Sequence, residues 1–183
     1  GQSAEVKINK VVSKLKKVKA DYHFISSSEN NSWLLNIRGK DAAYTPIINC
    51  FSLVDVHKNI KFFCDLRKIP IFFKRKFKKI EFVDIKFADF ILSKINKKKF
   101  IIDNNTCSIH FENIITKNNK ILNQSDPIYN FKSIKSKNEI NNMSKAHIYD
   151  GVALTKYLIW LKNNYQKRKI TEISAEKKLL SFR

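Results

Sequence analysis

Residues 47–66 read Ile47-Ile48-Asn49-Cys50-Phe51-Ser52-Leu53-Val54-Asp55-Val56-His57-Lys58-Asn59-Ile60-Lys61-Phe62-Phe63-Cys64-Asp65-Leu66. Two apolar runs, 47–56 and 60–66, flank the polar triplet His57-Lys58-Asn59, and that arrangement predicts an antiparallel β-hairpin. On its N-terminal side a further apolar run, 33–37, reads as a strand. It is stopped by Arg38-Gly39-Lys40-Asp41, where Gly39 gives the backbone freedom to turn. Residues 21–26 read as another strand that passes into a polar loop, Ser26-Ser27-Ser28-Glu29-Asn30-Asn31. Ahead of both, Ile8, Val11, Leu15 and Val18 recur at three and four positions, the stripe of an amphipathic helix over 3–18 with Ser3 as its cap.

On the C-terminal side of the hairpin comes a basic run at 74–79, then a strand at 80–85, a short helix at 87–95 and a strand at 100–103 closed by Asn104-Asn105. Helices and strands alternating over about 125 residues indicate a layered α/β domain built on a mixed sheet. The character changes at Gln124-Ser125-Asp126-Pro127, which places a domain boundary at 127, with units 1–127 and 128–183. Beyond it the pattern is helical. Ser136-Lys137-Asn138-Glu139 fits a capping box. Ile140, Met143, His147, Leu154, Leu158 and Leu161 then mark one face as far as Asn164, with His147 expected half-buried on that seam. Thr171 caps a second helix carrying Ile173, Leu180 and Phe182 that is still running at Arg183. Two apolar-striped helices without a sheet to bury them do not make a domain, so further chain is expected to complete them. The first residue is Gly1, and a translation start is expected upstream of it.

The 183 residues carry a formal charge of +20, which ordinarily directs attention to nucleic acid or an anionic surface. Against that, arginine, the side chain suited to bidentate phosphate and guanine contacts, stands only at 38, 67, 75, 168 and 183. Lys, Asn, Ile and Phe are jointly abundant, as A/T-rich coding produces, and the charge reads as a lysine-biased solvated surface. Neither nucleic acid nor membrane is expected as a partner. Apolar runs are broken by lysines long before the length that a membrane span needs. Cys50, Cys64 and Cys107 form no C-x-x-C pair, and a chain of this size needs no disulfide staple, so a cytoplasmic location with three small buried thiols is expected.

With glycine only at 1, 39 and 151, phosphate-cradling and dinucleotide glycine motifs are excluded. No H-E-x-x-H occurs, and His23, His57, His110 and His147 are isolated from one another and from cysteine, which leaves no zinc spacing. The carboxylate pairs Asp84 and Asp89, and Glu172 and Glu176, fit strand-end, cap or surface duty as well as acid–base work. The loop Arg38-Gly39-Lys40-Asp41 has two readings: by its chemistry alone an ordinary solvated turn is favoured, yet charged residues flanking a glycine directly after an apolar strand are also how scaffolds present side chains to ligands.

Three segments together carry a family resemblance. The first is Ser32-Trp33-Leu34-Leu35-Asn36-Ile37-Arg38-Gly39-Lys40-Asp41, with Pro46 after it. The second is Lys145-Ala146-His147-Ile148-Tyr149-Asp150-Gly151-Val152-Ala153-Leu154, ending in Trp160-Leu161. The third is Thr171-Glu172-Ile173-Ser174-Ala175 with Phe182-Arg183. In order and spacing they resemble the three-domain Xaa-Pro aminopeptidases, or aminopeptidase P, of the pita-bread metallopeptidase superfamily. Lys135 to Ile140 is similar to the segment that opens the catalytic domain of that family.

The resemblance implies a fragment: a creatinase N-terminal-like middle domain over 1–127, then the first helices of an incomplete α+β pita-bread domain over 128–183. It implies a parent enzyme that hydrolyses the bond between an N-terminal residue and a following proline, with two divalent metal ions, manganese by expectation. Its metal ligands and catalytic residues lie beyond Arg183, so no catalytic or metal-binding residue is assigned in this chain and the piece alone is expected to be inactive. Peptides with proline at the second position are the implied substrates and a homodimer the implied assembly. Trp33, Arg38 and Asp41 are the candidates for shaping the substrate entrance. The alternative is a non-catalytic basic binding module or an interaction scaffold.

Overall fold

A computed structural model describes residues 1–77, 79–167 and 169–183, the side chain of Lys76 excepted. The basic run 74–79 therefore includes a residue, Lys78, that lies outside the described ones. The chain divides into two compact units, Gln2–Ile134 and Lys135–Arg183.

The larger unit is an α/β layer structure around a six-stranded mixed sheet. Its elements are α1 (Ala4–Lys17), β1 (Tyr22–Ile25), α2 (Ser28–Leu35), β2 (Cys50–Asp55), β3 (Ile60–Cys64), α3 (Ile71–Lys76), β4 (Ile80–Asp84), α4 (Ala88–Ser93), β5 (Lys99–Ile102), α5 (Ile109–Thr116), β6 (Lys120–Asn123) and α6 (Pro127–Ser133). The strand order is β4-β3-β2-β1-β5-β6. β2 is antiparallel to both β1 and β3, whereas β3 with β4, β1 with β5, and β5 with β6 run parallel.

The hairpin read from the sequence is present, with Cys50 opposite Cys64 and Val54 opposite Ile60. Its turn is held by Asp55, whose Oδ1 accepts the amides of His57 at 2.8 Å and Asn59 at 2.9 Å. Those bonds stabilise the left-handed Lys58, at φ 70°.

Both faces of the sheet are covered, which is why its strands read as apolar runs rather than as alternation. Ile25, Cys50, Val54, Phe62, Cys64 and Ile101 join Val11, Leu15, Leu34 and Ile128 in one core. Their neighbours along the strands, Phe24, Leu53, Phe63, Phe100 and Ile102, join Ala88, Leu92 and Ile115 in the other. Phe24, Phe62, Phe63 and Phe100 are all fully buried, each contributing about 2–3 kcal/mol of transfer free energy.

The 26–31 loop and the 33–37 strand are replaced by one helix, α2, capped by Ser27 and carrying Asn30, Asn31 and Ser32 inward. Polar residues read as loop because a sequence does not display their partners. Here Asn31 Nδ2 donates to Ile25 O and Ser27 O, both at 3.0 Å, which satisfies the N–H groups of its buried amide. Pro127, expected at the domain boundary, stands in the first turn of α6, where its missing N–H costs nothing, with Asp126 as the cap. Helices α3 and α5 and strand β6 are short elements that the pattern left undivided.

The smaller unit consists of α7 (Lys137–Asn164) and α8 (Glu172–Leu180). The Ser136–Glu139 capping box is formed, with Glu139 Oε2 accepting the Ser136 amide at 2.7 Å. Among the described residues of the two helices only Ala153 is buried, and Ile140, Met143, Ile148, Val152, Leu158 and Ile159 are exposed. His147 is exposed too, against the half-buried place expected of it, because no neighbour covers that seam within the unit. α8 stops at Leu180 rather than continuing through Arg183.

Candidate functional site

The segment after α2 builds the most chemically distinctive surface. Asn36 ends the helix in the left-handed conformation, φ 54° and ψ 39°, which asparagine tolerates better than most residues. It is pinned from α1: buried Lys7 donates from Nζ to Asn36 Oδ1 at 2.6 Å and to Trp33 O at 2.8 Å. The same ammonium stands 4.2 Å over the Trp33 ring. Trp33 is thus a half-buried packing partner of α1.

Arg38 and Asp41 line a cleft of about 580 Å³ together with Ile37, Gly39, Lys40, Ile48, Lys68, Ile69, Pro70 and Phe73. Arg38 Nη1 donates to Ile37 O at 2.8 Å and to Ser32 O at 3.3 Å, which fixes the guanidinium against the end of α2. Asp41 Oδ2 accepts the Asn49 amide at 2.8 Å, and its Oδ1 accepts Lys68 Nζ at 2.7 Å. The Lys68 and Asn49 bonds hold the Asp41 carboxyl below its ordinary range.

Gly39 is not a turn glycine here, since no glycine takes a positive φ. It is required for close approach: a Cβ at this position would stand 2.7 Å from Ile47 O and 3.0 Å from Ile48 Cβ. Residues 39–41 run against 46–49 through Gly39 N to Pro46 O at 3.4 Å and Asp41 N to Ile47 O at 3.2 Å.

Of the three residues singled out from the sequence, the fold brings Arg38 and Asp41 to one cleft and places Trp33 under Lys7. Lys68, Ile69, Pro70 and Phe73, the opposite wall, carried no signal, because their role arises only when the segment after β3 folds back onto 38–41. A second cluster also escaped the sequence. His23 is fully buried with neither ring nitrogen hydrogen-bonded among the described residues, and its Nε2 is 3.6 Å from Asp126 Oδ1. Asp126 accepts Asn30 Nδ2 at 2.8 Å and the Ile128 amide at 2.9 Å, and its own amide donates to Asp103 Oδ2 at 2.7 Å. Burial lowers the His23 pKa, opposed by the charges of Asp126 and Asp103. Asp126 and Asp103 cap and tie chain segments. The cluster reads as a structural joint between β1, β5, α2 and α6.

The remaining candidates are accounted for locally. Asp84 accepts the Lys86 amide at 3.1 Å, and Asp89 meets His110 Nε2 at 2.8 Å on an exposed surface. Cys50, Cys64 and Cys107 are buried free thiols, and burial pushes Cys64 and Cys107 each up to about 11 and Cys50 higher still. Among the described residues no three His, Cys, Asp or Glu side chains gather into a group that could hold a metal ion.

Residues 1–139 match the creatinase/prolidase N-terminal domain. The chain belongs to that family. This creatinase/prolidase-type chain is 30% identical over its whole length to Xaa-Pro aminopeptidase 1 of Dictyostelium discoideum, of which it covers 30%. It is also 30% identical, over 92% of its length, to Xaa-Pro aminopeptidase ApepP of Drosophila melanogaster, of which it covers 28%. It thus spans under a third of these relatives. Its fold matches the X-prolyl aminopeptidase of Caenorhabditis elegans, described as a cytosolic enzyme with a di-nuclear active site, at a TM-score of 0.85 and 22% identity, covering all of this chain and 31% of that one. At that identity the match speaks for the fold, a mixed-sheet creatinase N-terminal-like domain followed by helices that have counterparts in the larger enzyme.

Proposed function

We propose that this chain is part of a Xaa-Pro aminopeptidase and forms the scaffold beside its substrate entrance. The parent hydrolyses the bond between an N-terminal residue and a following proline. The larger unit, Gln2–Ile134, serves as its middle domain rather than 1–127, because α6 packs Ile128 into that core, and Lys135–Arg183 begin its catalytic domain. The observation that carries this reading is the extent of the likeness: it runs through α7 and α8, well past residue 139, in both the curated aminopeptidase relative and the C. elegans fold.

The chemistry is assigned to two divalent metal ions, manganese by preference, held by residues elsewhere in the parent. A cytoplasmic location and a homodimeric assembly complete the proposal. The di-nuclear, cytosolic description of the C. elegans enzyme supports the metal count and the location.

What the residues of this chain contribute is positioning. Arg38, anchored by two carbonyls, presents a fixed charge beside an apolar wall, and Asp41, paired with Lys68 and bonded to the Asn49 amide, ties the two sides of the cleft together. The test is hydrolysis of an Ala-Pro-Ala substrate by the protein expressed from the complete reading frame, with and without added Mn²⁺. Metal-dependent release of the N-terminal alanine is expected, and absence of cleavage with Mn²⁺, Co²⁺ and Zn²⁺ alike refutes the enzyme reading. In that protein Arg38→Ala and Asp41→Ala are each expected to reduce kcat/KM. Unchanged values in both refute the entrance role.

A further inference from the structure

The cleft between residues 37–41 and 68–73 combines an apolar wall with an incompletely used cation. Ile37, Ile48 and Ile69 are buried in the core on their far sides, and Phe73 packs at 4.9 Å from Phe77 and 6.1 Å from Phe82, so the wall is fixed before anything binds. Of the charged residues lining it, Asp41 is neutralised by Lys68, whereas Arg38 and Lys40 have no carboxylate partner among the described residues. Both bonds made by Arg38 come from Nη1, which leaves the Nε–Nη2 edge without a protein acceptor among the described residues. That edge is the fork which receives a carboxylate through two parallel hydrogen bonds.

We propose that this cleft binds the free C-terminal carboxylate of a short peptide whose last side chain is apolar. Arg38 takes the carboxylate on its Nε–Nη2 edge, Lys40 adds charge attraction from the rim, and the terminal side chain lies against Ile37, Ile48, Ile69 and Phe73. A cationic ligand meets two unneutralised cations, and an amide-terminated one offers the fork a single neutral carbonyl acceptor in place of two charged oxygens. The inference rests on the entrance reading given above and sharpens it, assigning to this site the trailing end of short substrates or of the released peptide.

The experiment titrates the ¹⁵N-labelled 183-residue chain with Ala-Pro-Ala-Phe as the free acid, with the same peptide as its C-terminal amide, and with Ala-Pro-Asp-Phe amide. The free acid is expected to shift the amides of Arg38, Asp41, Ile48 and Ile69. The plain amide is expected to bind about tenfold more weakly, the effect of one lost charge-assisted pair. Arg38→Lys, which keeps the charge and loses the fork, and Arg38→Met, which keeps the stem, are expected to weaken the free acid by a similar factor. Equal affinity for acid and amide in the wild-type chain overturns the proposal, and so does undiminished binding by Arg38→Lys. Binding of the aspartyl amide as tight as that of the free acid overturns the assignment to the chain terminus in favour of a side-chain carboxylate. No turnover enters these titrations, so their failure is distinguishable from a failure of the whole protein to cleave Ala-Pro-Ala.

Discussion

Replacing Gly39 and Gly151 by alanine should move stability in opposite directions. At Gly39 the new methyl would stand 2.7 Å from Ile47 O, 3.0 Å from Ile48 Cβ and 3.1 Å from Ile47 C. Two of these are backbone atoms, so no side-chain rotation relieves the clash, and each contact is inside the roughly 3.5 Å at which such atoms attract. Overpacking of this kind costs about 1–3 kcal/mol. If 38–41 instead separates from 46–49, the bonds Gly39 N to Pro46 O and Asp41 N to Ile47 O are lost, again roughly 1 kcal/mol each. Alanine returns about 0.4–1 kcal/mol by restricting the unfolded chain. The expected net loss is about 1–2 kcal/mol. Gly151 lies inside α7 with nothing within 4 Å of an added Cβ, and alanine there should add about 1 kcal/mol of helix stability. Urea unfolding reads both: Trp33 fluorescence in a Trp160→Phe background reports the larger unit, and far-UV circular dichroism reports α7. A Gly39→Ala chain as stable as its background would refute the close-approach argument and restore a simple turn role for this glycine.

Three further outcomes are expected. Because burial holds the His23 imidazole below its ordinary range, protons favour the unfolded chain once the pH drops under about 6.5; stability from neutral His23 is complete above that pH and declines towards the lowered folded value. His23→Gln should flatten the fall in the urea midpoint between pH 7.5 and 5.5, and an identical fall in wild type and variant refutes this. Asp126→Ala removes the α6 cap and strands the buried Asn30 amide, for a loss of about 3 kcal/mol in urea unfolding, whereas Asp126→Asn keeps the cap and should lose less; a loss under about 0.5 kcal/mol for Asp126→Ala contradicts the joint. Cys50, Cys64 and Cys107, buried with raised pKa values, should resist Ellman's reagent at pH 8 until the chain is unfolded; labelling within seconds of mixing would show that the cores open readily.

Elements whose signals are local were legible. The stripe of α1 with its Ser3 cap, the hairpin of β2 and β3 and the capping box of α7 each depend on residues within a few positions of one another. The Arg38–Asp41 loop is legible as a charged loop around a glycine, but the need for that glycine is not, because the atoms that forbid a side chain at Gly39 belong to Ile47 and Ile48. The pattern of α2 resembles loop and strand for a related reason. Its inward polar face is tolerable only because Ile25 O, Ser27 O and Asp126 accept its hydrogen bonds, and no helical stripe announces that.

The amino-acid sequence by itself determined the fold class, the two helices of the smaller unit and the resemblance to Xaa-Pro aminopeptidases, since periodicity, caps and motifs are written in consecutive residues. Only the tertiary structure decided which charges are paired. Asp41 is neutralised by Lys68 from 27 residues away, His23 is enclosed beside Asp103 and Asp126, and Arg38 keeps one edge of its guanidinium open. The physical reason is that a charge takes its meaning from whatever stands within a few ångströms, and chain folding rather than sequence order sets that neighbourhood.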